Sequence, residues 1–95
     1  MDEQLAVILE NDFDHWVVSP DESNVVAWQD YGNRAIVFDT STGIEIVTIE
    51  AEMDKWFWSP SGKELISHDY ITTRIWDATT GEFLRAVEAM YDRPD

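Results

Sequence analysis

The feature that most constrains the fold of this chain is an internal repeat of about 40 residues. The block WVVSPD at Trp16–Asp21 is matched by WFWSPS at Trp56–Ser61, an offset of 40 residues. A second pair of blocks, VFDTSTG at Val37–Gly43 and IWDATTG at Ile75–Gly81, is offset by 38 residues. A repeat of this length is typical of proteins in which each copy is one supersecondary unit and the copies pack side by side.

Each copy divides into four short apolar or β-branched segments separated by turn residues. This pattern predicts a four-stranded antiparallel meander for each repeat. The Ser-Pro pairs that begin at Ser19 and Ser59 predict β-turns because proline presets φ, and Gly43 and Gly81 supply the positive φ of another tight turn. Strands are predicted at residues 5–10, 16–19, 25–29, 34–39, 44–50, 55–59, 64–68, 73–77 and 83–88.

The first predicted strand belongs to a block that occurs three times, at Val7–Glu10, Val47–Glu50 and Arg85–Glu88. Residues 5–10 would therefore be the outer strand of a preceding unit. Residues 3–10 and 82–90 are also rich in helix-forming residues, so a terminal helix is the alternative at either end. We expect a single domain, 1–95, with an outer-strand-like segment at 5–10, a first repeat at 16–50 and a second at 55–89.

These blocks resemble the WD-repeat β-propeller family, whose repeats carry Ser-Pro-Asp-Gly-like and Trp-Asp…Thr-Gly signatures. The resemblance covers about residues 5–92, with good matches at Trp58–Gly62 and Arg74–Gly81. The first copy has Glu22 where glycine is usual and Phe38 where tryptophan is usual, and the family's Gly-His pair is missing from both copies. The resemblance therefore implies the blade fold but not the buried hydrogen-bond tetrad of family members.

Two blades cannot close a propeller, because a propeller has four to eight blades and each blade is buried between two neighbours. The chain could be part of a longer one, three or four copies could complete a ring, or the two sheets could pack as a small sandwich. The expected fold class is all-β: two four-stranded antiparallel propeller-blade-like meanders, with oligomerisation as a route to a complete propeller and helices as an alternative at the termini.

The charge of the chain restricts its partners. Six Lys and Arg residues stand against 20 Asp and Glu residues, which gives a net charge of −14. This charge repels nucleic acids and anionic membranes and speeds encounter with a basic protein. We therefore expect a basic protein partner and a homo-oligomer, without direct nucleic-acid or membrane binding. The lack of cysteine, of a basic export signal and of a membrane-length apolar run predicts a cytoplasmic location.

The sequence contains no motif for catalysis, a metal or a cofactor. There is neither a Gly-x-Ser-x-Gly elbow nor a phosphate-binding loop. The acidic segment from Glu10 to Asp14 lacks the glycine and the distal glutamate of a calcium loop. We therefore expect no enzymatic activity, no bound metal and no cofactor.

The candidate partner-binding residues lie in turns that the resemblance places on one rim, the rim that the family commonly uses to bind partners. Trp28 and His68 are equivalent, because each lies nine residues after the serine of a Ser-Pro pair, and Asp and Tyr follow each of them. Aromatic anchors surrounded by charge are typical of binding hot spots. The predicted residues are Asp12, Asp14, Trp28, Asp30, Tyr31, Glu52, Asp54, His68, Asp69 and Tyr70.

The predicted function is a non-catalytic protein–protein interaction module of WD-repeat type with an acidic, aromatic-containing binding rim. The alternative is a small acidic inhibitor, such as an immunity protein, an antitoxin or a phage counter-defence protein. Such an inhibitor would block the basic nucleic-acid site of an enzyme.

Overall fold

The computed structural model describes residues 1–69 and 72–88, which contain one helix and two four-stranded sheets. Neighbouring strands pair antiparallel in sequence order within each sheet. The prediction of two blade-like meanders is therefore confirmed. The elements are α1 (Glu3–Asp12), β1 (His15–Val18), β2 (Asn24–Trp28), β3 (Ala35–Asp39) and β4 (Glu45–Ile49) of the first sheet, and β5 (Lys55–Trp58), β6 (Glu64–His68), β7 (Thr72–Asp77) and β8 (Phe83–Glu88) of the second.

Residues 5–10 lie within α1, so their interpretation as an outer strand is wrong and the helical alternative is correct at this end. The Oδ1 atom of Asp2 accepts hydrogen bonds from the backbone N–H groups of Gln4 (2.9 Å) and Leu5 (3.1 Å). This is an N-terminal cap, which satisfies donors that a helix leaves free. At the other end, residues 83–88 form β8 as predicted, and residues 89–95 lie outside the described residues.

Helix α1 covers one face of the first sheet. Leu5 and Leu9 are one helical turn apart, so they share a side of the helix, and both are buried (0% and 1% exposed). They form one core cluster with apolar residues of β2 and β3. The helix thus occupies the face of the first sheet that points away from the second sheet. The sheet residues of this cluster are Val25, Ala27, Ile36 and Phe38.

The main core lies between the two sheets. Trp56 of β5 is 1% exposed, and the indole Nε1 of the neighbouring Trp58 donates to the Val17 carbonyl of β1 (2.7 Å). In the second sheet, Trp76 Nε1 also donates to the buried hydroxyl of Ser67 (2.8 Å). Apolar burial and the hydrogen bond from Trp58 to Val17 therefore join the two sheets. The buried residues of this core are Val26, Trp28, Ala35, Val37, Ile49, Met53, Trp56, Leu65 and Ala78.

A matched pair of glycines tests this packing. Gly81 (φ +78°) and Gly62 (φ +77°) both have a left-handed conformation, in which an alanine costs about 1–2 kcal/mol. A Cβ on Gly81 would lie 2.6 Å from Cγ2 of Val47 in the first sheet, whereas a Cβ on Gly62 would come no closer than 3.6 Å to Pro20. We expect Gly81→Ala to lower the free energy of unfolding by about 1–3 kcal/mol more than Gly62→Ala, because it also overpacks the contact between the sheets.

Urea denaturation followed by circular dichroism measures both glycine variants. Equal losses of stability for Gly81→Ala and Gly62→Ala would contradict the contact between this turn and β4.

Candidate protein-interaction rim

Several connections meet at one edge of the two sheets, which we call the upper edge. The strand registers show this, because His15 lies opposite Trp28, Ala35 opposite Ile49, and Lys55 opposite His68. The segments that leave these strand ends therefore emerge on the same side. They are residues 12–14, residues 29–34, residues 50–54 and Asp69. The turns that the resemblance assigns to one rim thus lie at one edge, and partner binding at this edge stays a prediction.

A cleft of about 620 Å³ opens at the upper edge between the β2–β3 loop and the connection from the first sheet to the second. We call it the rim cleft. Tyr31 is fully exposed there and has a positive φ of 60°. Asp30, Glu52 and Asp54 are exposed as well. The cleft is lined by Gln29, Asp30, Tyr31, Gly32, Glu52, Met53 and Asp54.

Hydrogen bonds hold the first-sheet side of the rim cleft in place. The Oδ2 atom of Asp14 accepts from the backbone N–H of Asp30 (2.7 Å), and Nε2 of His15 lies 2.7 Å from Oδ1 of Asp30. The His15 ring also stacks on the Trp28 indole, with ring centroids 5.3 Å apart. Asp30 is thus fixed in position although its side chain is exposed.

Trp28 and Asp12 support the rim without lining the cleft. Trp28 is only 6% exposed and belongs to the core between the sheets, so its side chain is not at the surface as the rim prediction requires. The backbone carbonyl of Asp12, at the end of α1, accepts from the side-chain amide of Gln29 (2.6 Å). This bond ties the helix to the β2–β3 loop.

The second-sheet residues of the prediction lie apart from the cleft. The half-buried His68 places Nδ1 3.1 Å from Oγ1 of Thr73 and packs edge-on against Phe57. The Oδ1 atom of Asp69 accepts from the backbone N–H of Thr72 (2.7 Å). His68 therefore lies on the outer face of the second sheet rather than in the cleft. Tyr70 lies outside the described residues.

The structure brings four of the ten predicted residues together in the rim cleft: Asp30, Tyr31, Glu52 and Asp54. Sequence reasoning did not select Gln29, although it follows Trp28 in the turn that was singled out. Its position in that turn is the signal that could have found it. Gly32 was also missed, and only its place after Tyr31 points to it.

At the opposite edge, the carboxylates of Asp39 and Asp77 stabilise turns by accepting hydrogen bonds. The hydroxyl and the backbone N–H of Ser41 donate to the Asp39 carboxylate and hold its pKa below its usual value. The backbone N–H of Thr80 does the same, with the largest effect, for the pKa of Asp77. Among the described residues, by contrast, no intramolecular donor contacts the carboxylate of Glu52 or Asp54 at the upper edge. Those two charges are available to a partner.

In residues 1–69 and 72–88, no group of three or more His, Cys, Asp or Glu side chains is placed to hold a metal ion. No helix in the same part of the chain is long and apolar enough to cross a membrane.

No protein-family model matches this sequence, and no curated protein matches it. Solved structures, in contrast, resemble it closely in fold. The WD40 repeats of RRP9 match with a TM-score of 0.68 at 22% identity, over 81% of this chain and 26% of that chain. The C-terminal WD40 domain of Sif2 matches with a TM-score of 0.65 at 20% identity, over 80% of this chain and 22% of that chain.

A hydrazine synthase structure from Kuenenia stuttgartiensis also matches, with a TM-score of 0.66 at 16% identity, over 80% of this chain and 24% of that chain. This chain thus spans about a quarter of the length of each of these three structures. Its architecture is that of two consecutive propeller blades joined in one core. More particularly, the blades have the WD40 fold, as the sequence resemblance implied.

Proposed function

We propose that this chain is a non-catalytic protein–protein interaction module that binds a basic segment of a partner protein in the rim cleft. The observation that carries the proposal is the set of exposed carboxylates of Asp30, Glu52 and Asp54 around one cleft. Two of them, on Glu52 and Asp54, accept no hydrogen bond within the described chain. WD40 neighbours in general support a role in protein interaction.

The rim cleft has the physical properties that favour a basic ligand. Asp30 is held in place because its backbone N–H donates to the Asp14 carboxylate and its own carboxylate accepts from Nε2 of His15, so little side-chain freedom is lost when it pairs with a cation. The exposed phenol ring of Tyr31 offers an aromatic surface on which a guanidinium group can stack. The net charge of −14 adds long-range attraction that speeds encounter with a basic partner.

The cleft does not favour catalysis. Blade folds occur in enzymes, as the hydrazine synthase match illustrates, so fold alone carries no argument against an activity. None of the residues that line the rim cleft is a serine, threonine, cysteine, histidine or lysine, so the nucleophiles and bases that it offers are carboxylates and the Tyr31 phenol. The same carboxylates suit a cationic ligand, and we propose binding without chemistry.

Calorimetric titration with an arginine-rich peptide tests the proposal. The triple variant Asp30→Asn, Glu52→Gln, Asp54→Asn removes the rim charges. The matched control Glu22→Gln, Glu45→Gln, Glu82→Gln removes the same number of charges from the edge of the sheets opposite the rim. We expect the rim variant to weaken binding by about tenfold and the control to change it by about twofold or less, since each exposed pair contributes about 0.2–1 kcal/mol.

The inhibitor alternative shares the charge but predicts a different result. A small acidic protein that imitates nucleic acid would use its overall field, so the rim variant and the control would weaken binding equally. Equal effects in the two triple variants, or no binding of the peptide at low salt, would therefore contradict a role of the rim cleft.

A further inference from the structure

One sheet face of this chain has no neighbour among the described residues. Side chains alternate between the faces of a strand, so the residues next to the buried Trp56 and Leu65 point away from the first sheet. We call this surface the distal face. By register it consists of Lys55, Phe57, Glu64, Ile66, His68, Thr73, Ile75, Asp77, Arg85 and Val87.

The middle of the distal face is apolar and partly exposed, although Ile75 within it is only 8% exposed. Phe57 is 39% exposed and Val87 is 44% exposed, and Ile66 is half-buried between them. The corresponding face of the first sheet carries Val26 and Val37, and the second sheet buries both of them completely. The second sheet therefore presents to solvent the type of surface that the first sheet buries.

Helix α1 decides how another copy could reach this surface. In a ring, the distal face of one copy would pack on the outer face of the first sheet of the next copy. That outer face is already covered by Leu5 and Leu9 of α1. Each chain thus retains one open sheet face among the described residues. If two copies associate through this face alone, the same face of each copy must meet across a two-fold axis.

Charge on the distal face also favours a second copy. The chain has six Lys and Arg residues, and two of them, Lys55 and Arg85, lie on this face. Over the rest of the surface, the acidic residues of one copy repel those of another copy. Lys55 stands at the upper end of the face, next to the rim, whereas Glu64 stands at the lower end, where it pairs with Arg85 (3.3 Å). The face is therefore positive at one end and carries a carboxylate at the other.

We propose that two copies of this chain form a dimer by packing distal face against distal face about a two-fold axis that crosses the strands. This axis lays the upper end of one face over the lower end of the other, so Lys55 of each copy lies opposite Glu64 of the second copy. Phe57, Ile66 and Val87 are buried in the middle, as in the packing of the two sheets within one chain. The rim clefts remain open at opposite ends of the dimer.

Light scattering after size exclusion, over a range of concentrations, tests the dimer on the full chain. The chain has a mass of 11.0 kDa, and we expect twice that mass at high concentration. Phe57→Glu should give the mass of one chain, because it places a charge in the contact. The control Ile46→Glu changes a residue of the same 39% exposure on the first sheet and should leave the dimer intact.

A charge exchange tests the direction of packing. Lys55→Glu alone sets two carboxylates against each other in the contact, and Glu64→Lys alone sets two ammonium groups against each other. Each variant should dissociate at least tenfold more readily than the parent, and an equimolar mixture of the two should form mixed dimers. A monomeric parent, a trimer or tetramer, a dimer that resists Phe57→Glu, or single charge variants that dimerise like the parent would each overturn the proposal.

Discussion

Replacing Trp56 by alanine is expected to lower the free energy of unfolding by about 3–5 kcal/mol. Trp56 is 1% exposed in the core between the sheets, where its ring lies 6.0 Å from that of Trp76. Removing the indole would leave a cavity between the two sheets. The sheets cannot close it, because hydrogen bonds hold the strands of each sheet in place. A loss of this size is a large part of the 5–15 kcal/mol that is typical of a domain.

Trp16→Ala provides the matched control for this substitution. Trp16 occupies the equivalent place in the first repeat, but it is 39% exposed because α1 covers β2 and β3 and leaves this end of the sheet open. We expect a loss of about 1–2 kcal/mol. Urea unfolding followed by far-ultraviolet circular dichroism measures both variants without relying on tryptophan fluorescence. Equal losses, or a larger one for Trp16→Ala, would contradict the placement of the core between the sheets.

Leu5→Ala is expected to destabilise the chain by about 2–5 kcal/mol, although Leu5 lies outside both repeats. Its side chain is completely buried against the first sheet and helps to cover Ile36 and Phe38. The substitution removes part of the apolar contact between α1 and the first sheet, so helical signal should be lost at a lower urea concentration than in the parent.

Val7→Ala is the control for Leu5→Ala, because Val7 lies on the same helix but is 55% exposed and does not belong to the core cluster. Exposed substitutions of this kind change stability by about 0.5 kcal/mol or less. Similar effects of Leu5→Ala and Val7→Ala would show that α1 does not pack on the first sheet. The outer face of that sheet would then be open to the distal face of another copy.

The repeat predicts the two sheets well because the turn residues and the alternation of apolar residues are both local features of the sequence. Ser-Pro turns and glycine at positive φ fix where each strand ends, and alternation of apolar residues fixes which faces are buried. Residues 5–10 resemble the outer strands in composition, yet they form a helix. Asp2 caps them, and Leu5 and Leu9 match helical spacing and are buried against the first sheet. Local pattern alone does not decide between these structures.

The rim was harder to predict, because it depends on how the two sheets meet. The resemblance to WD repeats implies that the loops share one edge, but it does not specify which side chains stay exposed. Trp28 points into the core because Ala35, directly opposite on β3, leaves room for its indole. The rim cleft itself joins residues 29–32 to residues 52–54, and this proximity follows from the packing of the sheets, which no single repeat encodes.

The measurement that tests the proposed function most directly is a ¹H–¹⁵N correlation spectrum of the chain during titration with the arginine-rich peptide. If the rim cleft binds the peptide, the amide signals of Gln29–Gly32 and Glu52–Asp54 should shift first and most, while those of the turns at 19–23 and 59–63 stay in place. Shifts that centre on the turns of the opposite edge, or that spread evenly over the acidic surface, would contradict a binding site in the rim cleft.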